Sequence, residues 1–120
     1  AIHVMPALPA AWTNGEMKGL KARGGFTIDL SWQNGQLKKL VIYSALGGNC
    51  RIRSYSPLNM KGSREIANNP GGNNPNVFYT VPLFKASIVS RKANLKNPPP
   101  KSTIDYDVET VAGKKYEYIF

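Results

Sequence analysis

Residues 26–32 alternate cleanly, with Phe26, Ile28, Leu30 and Trp32 on one side of an extended chain and Thr27, Asp29 and Ser31 on the other. Period-two patterning with one apolar face is what a half-buried antiparallel strand requires. The next dipeptide, Asn34-Gly35, tolerates the positive φ angles of a two-residue type I′ turn, so residues 26–44 read as a hairpin whose return strand is 36–44. Upstream, Lys18, Leu20 and Ala22 alternate with Gly19, Lys21 and Arg23, which predicts a strand over 16–23 ended by Gly24-Gly25. After the Gly47-Gly48-Asn49 break, Cys50, Ile52 and Ser54 alternate with Arg51 and Arg53, predicting a short strand with both arginines facing water. Tyr106, Val108 and Thr110, an Ala112-Gly113 turn, and Tyr116, Tyr118 and Phe120 predict a second hairpin near the end of the chain. No stretch of ten or more residues carries apolar side chains at i, i+3, i+4 and i+7, so helix is expected to be scarce.

Between the hairpins, residues 55–76 are almost entirely Asn, Gly, Pro and Ser turn chemistry and predict a long, mobile loop. Residues 77–83 and 86–90 are apolar enough for short strands or adherent coil, and Asn97-Pro98-Pro99-Pro100 (97–100) reads as a stiff spacer. A chain of 120 residues holds about one core. The expected fold is therefore all-β, a single domain over 1–120: an antiparallel β-sandwich of roughly seven to nine strands with Greek-key connections.

Charge and chemistry narrow the function by exclusion. Sixteen Lys and Arg against seven Asp and Glu give +9 and a pI near 9.9. They are spread along the chain without a nucleic-acid-binding motif, so they are read as a solvated surface, with no nucleic-acid partner. No apolar run approaches the ~20 residues that span a bilayer, so membrane insertion is not expected. Cys50 is the only cysteine and His3 the only histidine, which excludes an internal disulfide and a multi-His or Cys-based metal site. Cys50 falls in phase with Ile52 and is expected to be a buried thiol of raised pKa. Asp105, Asp107 and Glu109, two residues apart on one strand, place carboxyls ~6.5–7 Å from each other, the spacing of an inverting glycosidase pair. They point the same way, however, and cannot flank a bond, so they read as a solvated face paired with basic residues across the sheet. No phosphate-binding glycine loop is present. Neither a catalytic residue nor a cofactor is expected.

The opening Ile2-His3-Val4-Met5-Pro6-Ala7-Leu8-Pro9-Ala10-Ala11-Trp12, then Gly15 and Lys18-Gly19-Leu20-Lys21-Ala22-Arg23-Gly24-Gly25-Phe26, resembles the C-terminal β-domain of glycoside hydrolase family 95, the α-L-fucosidases and related α-L-galactosidases. The resemblance continues through Asp29, Trp32, Asn34-Gly35, Leu37, Ile42, Ser44 and Gly47-Gly48 to Cys50-Arg51-Ile52-Arg53, and returns at 106–116. It implies a non-catalytic piece cut from a larger hydrolase, without metal or cofactor. Its partner would be the (α/α)6 catalytic barrel of the same parent chain, which would act on oligosaccharides by removing terminal α-L-fucose or L-galactose with inversion. The start at Ala1, without a charged and apolar leader, fits an excised segment of a periplasmic or secreted parent whose signal lies upstream.

Pro6 and Pro9 lack N–H donors, so residues 5–12 cannot be a central strand and should adhere as an edge. Met5, Pro6, Leu8, Pro9 and Trp12 are the candidate barrel interface, or equally a segment folded back on its own sandwich. The alternative function is a carbohydrate-binding module, with Trp12, Tyr116 and Tyr118 as candidate sugar-stacking rings. Trp32, in phase with three apolar neighbours, is expected in the core.

Overall fold

Alternating apolar positions fold here as strands, and the computed structural model describes residues 1–66, 74–79, 85–94, 96, 99 and 101–120. Among them are eight strands and no helix: β1 (Ile2–His3), β2 (Gly15–Ala22), β3 (Phe26–Gln33), β4 (Gln36–Ser44), β5 (Gly48–Ser54), β6 (Arg64–Ile66), β7 (Ile104–Thr110) and β8 (Lys114–Ile119). They form two four-stranded sheets, ordered β1-β5-β7-β6 and β2-β3-β4-β8. All pairs are antiparallel except β1 with β5. The result is the expected all-β sandwich. Phe26, Ile28, Leu30, Trp32, Leu40 and Ile42 from one sheet meet Cys50, Ile52, Tyr106 and Val108 from the other. Leu40, Ile42 and Ile52 have no exposed surface, and each buried aliphatic of this size contributes roughly 1.5–3 kcal/mol.

The β3–β4 hairpin turns as its sequence requires, Asn34 and Gly35 taking φ of 51° and 71°. Two bulges then reset the alternation. On β4 the register moves from Ser31↔Lys39 to Trp32↔Leu37, so Lys38 is the extra residue and Leu37 and Leu40 both turn inward. On β2 it moves from Met17↔Leu30 to Leu20↔Ile28, and Gly19 (φ 73°) donates its N–H to Asp29 Oδ1 at 2.7 Å. Lys18 therefore does not share a face with Leu20 and Ala22, as simple alternation predicts. It lines a shallow outer depression with Glu16 and Asp29.

The expected closing hairpin is not a hairpin. β7 pairs with β5 and β6, whereas β8 pairs with β4, so residues 111–113 cross from one sheet to the other. The β4–β5 connection makes the same crossing beside it. Gly113 N–H donates to Ser44 O (2.7 Å), the Ser44 hydroxyl accepts the Gly47 N–H (3.0 Å), and it lies 2.9 Å from the Thr110 hydroxyl. Alternation specifies the inward face of each strand but not its neighbour, and here the two crossings satisfy each other's buried polar groups.

Residues 55–76 are likewise more than a loop. Met60 is buried, β6 forms an edge of the sheet, and Asn76 is buried, while 67–73 lie outside the described residues. Residues 77–79 close a turn, with Tyr79 N–H donating to Asn76 O at 2.9 Å, and 80–84 lie outside the described set. Residues 85–90 carry no regular structure and Ile88 is fully exposed, so they do not adhere to the sandwich. Of the 97–100 spacer only Pro99 is described.

Cys50 is buried in the core, and burial pushes its thiol pKa up to about 12 from 9.0. A raised folded-state pKa means the protonated thiol favours the fold. This stabilisation is complete below pH 9 and is lost as pH rises from 9 toward 12. Folded protein at pH 8 is expected to react with a thiol-disulfide reagent only as fast as it opens, and to titrate one thiol in denaturant. Rapid labelling of the native chain would contradict this placement.

Candidate docking surface

The N-terminal segment is built from an edge strand followed by turns. β1 lies parallel to β5, with Ile2 opposite Ile52 and His3 opposite Arg53, and Val4 N–H extends the ladder to Arg53 O at 2.9 Å. Met5 then takes φ 50°, which swings the chain across the end of the sandwich. Trp12 N–H donates to Pro9 O (2.9 Å), and Trp32 Nε1–H donates to Trp12 O (2.7 Å). Next, Thr13 O accepts the Gly35 N–H (2.8 Å) and Asn14 Oδ1 the Asn34 N–H (2.9 Å), fastening the segment to the hairpin tip. The Trp32 indole fills the space over Gly15, where any side chain would overlap it.

This segment divides its apolar residues between two directions. Val4 is buried, and Met5 and Leu8 pack half-buried on the sandwich's own core. Pro6, Pro9 and Trp12 face outward, Trp12 with 52% of its surface exposed. Tyr118 is buried, and Tyr116 is half-buried with its hydroxyl accepting the Val111 N–H at 2.8 Å. Trp32 is in the core, as expected.

The outer face of the β1-β5-β7-β6 sheet departs most from the sequence reading. Arg51 and Arg53 are half-buried, and Asp105 and Asp107 are buried. Arg51 Nε and Nη2 donate to Asp107 Oδ1 and Oδ2 at 2.8 and 3.0 Å, and Arg53 makes the same fork to Asp105 at 2.7 and 2.8 Å. Asp105 and Asp107 retain 3% and 5% of their surface. The cross-strand basic partners were correctly anticipated; Glu109 alone of the three is exposed. Among the described residues, 74–79 reach over this face. Asn49 Nδ2 donates to Asn74 Oδ1 and Asp107 Oδ1, and Asn76 Nδ2 donates to Asn49 O at 2.9 Å. Asn76 Oδ1 accepts the Phe78 N–H, and the Tyr79 hydroxyl reaches Ala1 O at 3.2 Å.

These bonds account for what the carboxylates can do. Both oxygens of each aspartate are engaged by a guanidinium, and the hydrogen bond to the carboxylate raises the pKa of each arginine. Neither aspartate is placed to give or take a proton from a substrate. His3 packs edge-on against Tyr55, 4.8 Å between ring centroids, and desolvation followed by the Arg53 charge pushes its pKa down. Among the described residues no three His, Cys, Asp or Glu side chains gather as a metal site. Sequence reading missed the strap at 74–79, because asparagines in a Gly/Pro-rich run signal turns wherever their side chains point. It also missed Tyr55, which is exposed and follows a strand without belonging to its alternation.

Comparison with known proteins places this architecture. The family model for glycoside hydrolase family 95, C-terminal domain, matches residues 1–82. Over 47 residues the chain is 43% identical to a probable alpha-fucosidase A of Aspergillus oryzae, covering 39% of this chain and 6% of that protein. Over 44 residues it is 43% identical to alpha-L-fucosidase 2 of Arabidopsis thaliana, covering 36% of this chain and 5% of that protein. The chain therefore spans only a small part of the length of these curated relatives.

Removing one partner of a buried ion pair strands the other charge at a cost of about 3–5 kcal/mol, whereas replacing both by apolar groups is close to neutral. Asp107→Ala is expected to lose that much stability in urea unfolding, and Arg51→Met with Asp107→Leu to recover most of it. Equal losses in the single and double variants would show that the strap, not the pair, carries the stability.

Proposed function

Because this chain belongs to glycoside hydrolase family 95, as its C-terminal domain, we propose that it is a non-catalytic accessory module that packs on the (α/α)6 catalytic barrel of an α-L-fucosidase-like parent and stabilises it. The observation that carries this reading is Trp12: a large aromatic, 52% exposed, on a backbone held by the Trp32 indole and the hairpin tip. A clamped aromatic loses little freedom on contact, which is what an interface anchor needs. Pro6 and Pro9 stand exposed on the same segment and stiffen it. The parent would remove terminal α-linked L-fucose or L-galactose from oligosaccharides in its barrel, with this module contributing stability rather than chemistry. A secreted or periplasmic parent accords with such substrates, and among the described residues no helix is long and apolar enough to cross a membrane.

The alternative is a carbohydrate-binding module using Trp12, Tyr116 and Tyr118. The burial of Tyr118 and the hydrogen-bonded, half-buried Tyr116 favour the bracing role, since sugar stacking needs open ring faces.

The test compares this chain alone with the full-length parent and its Trp12→Ala variant. Nitrophenyl fucoside is expected to be hydrolysed by the parent and not by the chain alone. Trp12→Ala should destabilise the parent by on the order of 2 kcal/mol while leaving kcat/KM at 25 °C within about two-fold. Turnover by the isolated chain would falsify the non-catalytic assignment, and unchanged parent stability would remove Trp12 as the anchor.

A further inference from the structure

The turn at Met5 carries the N-terminal segment over one end of the sandwich and leaves a cleft of about 350 Å³ beneath it. Its walls are that segment, the β3–β4 hairpin tip, the chain following β5, and Phe120. Leu8, Leu37, Leu58 and Phe120, all half-buried, supply apolar surface within it. Gln36, Tyr55 and Ser56 supply an exposed, hydrogen-bonding rim. Lys38 is its one charged side chain among those described, and no Asp or Glu lines it. The cleft uses Met5 and Leu8 of the N-terminal segment but none of Pro6, Pro9 or Trp12, so it is separate from the anchoring face.

The walls are held before any ligand arrives. Ser56 N–H donates to Ser54 Oγ (3.1 Å) and Leu58 N–H to the buried Tyr106 hydroxyl (2.8 Å), which pins the chain on both sides of Tyr55. The Tyr55 ring is steadied by the edge-on His3 ring and by Lys101 Nζ, 5.6 Å from its centroid. Phe120 is fixed through its N–H to Lys38 O at 2.9 Å.

We propose that this cleft binds one neutral pyranose sugar residue. A pyranose has an apolar face of C–H groups and an equatorial edge of hydroxyls, which the leucine and phenylalanine surface and the Gln36, Ser56 and Lys38 groups match in kind. The volume lies near the lower limit of small-molecule pockets and accommodates a single pyranose ring. With one lysine and no second cation in its lining, the cleft lacks the convergent positive charge of a phosphate site. This inference does not depend on docking to the barrel, since the two surfaces use different aromatic residues.

The experiment is a ¹H–¹⁵N correlation titration of the 120-residue chain with L-fucose, D-galactose and D-glucose, and with indole as an apolar probe. Saturable shifts are expected at 36–38, 55–58 and Phe120 for at least one sugar, with a millimolar dissociation constant. Tyr55→Ala and Gln36→Ala, both at exposed positions, should each weaken binding about ten-fold while thermal unfolding stays within a few degrees of the parent chain. Three outcomes overturn the proposal: no saturable shift for any sugar well into the millimolar range, shifts that survive both substitutions, or saturation by indole alone. The last would make the cleft an anchoring pocket for an apolar side chain. None of these outcomes alters the Trp12 test.

Discussion

Arg51 opposite Asp107 and Arg53 opposite Asp105 pair half-buried guanidiniums with buried carboxylates on a sheet face that, among the described residues, has no second sheet over it. Removing each ion from solvent costs several kcal/mol, and only close, bidentate pairing offsets it. The β5–β7 register is therefore highly constrained. A slip of one residue would put Arg51 opposite Tyr106 or Val108 and Arg53 opposite Ile104 or Tyr106, and turn the apolar faces outward. Asn49 links residues 74–79 to the pairs: its Nδ2 donates to Asp107 and Asn74 and its carbonyl accepts from Asn76, while its Oδ1 stays buried without a partner among the described residues. What reads as a loop is the lid of a buried polar layer.

With that register set, the remaining geometry follows. β5 in place offers its free edge to β1, and the parallel pairing sends the chain upward to Met5, where it turns over the sandwich end. The Trp32 indole and the Asn34-Gly35 tip then hold residues 12–14. Val4, Met5 and Leu8 consequently face the core and the cleft, while Pro6, Pro9 and Trp12 face solvent. Part of the segment thus folds back on its own sandwich, and the rest is left exposed.

The family match ends at residue 82, before β7 and β8, yet the matched part depends on the unmatched part. Asp105 and Asp107 neutralise arginines of the matched region, and Thr110 and Gly113 complete the crossing at Ser44. A module whose carboxylates are consumed in this way is suited to holding shape. That agrees with the bracing role proposed for it.

Local pattern alone determined much of this protein. The strands at 26–32, 36–44 and 50–54, the Asn34-Gly35 turn, the burial of Trp32 and Cys50, and the all-β class are each legible in neighbouring residues. The reason is that a strand's inward face depends on its own alternation, and a type I′ turn on its own dipeptide. Tertiary structure decided what depends on distant partners. Arg53 and Asp105 lie 52 positions apart and Arg51 and Asp107 lie 56 apart, so whether their sheet face is wet could not be read from alternation. The same holds for β7 joining β5 instead of β8, for the bulges that reverse Lys18 and shift Lys38, and for the cleft beside Tyr55. Periodicity records which way a side chain points along one strand; what then covers it is settled only when separate segments meet.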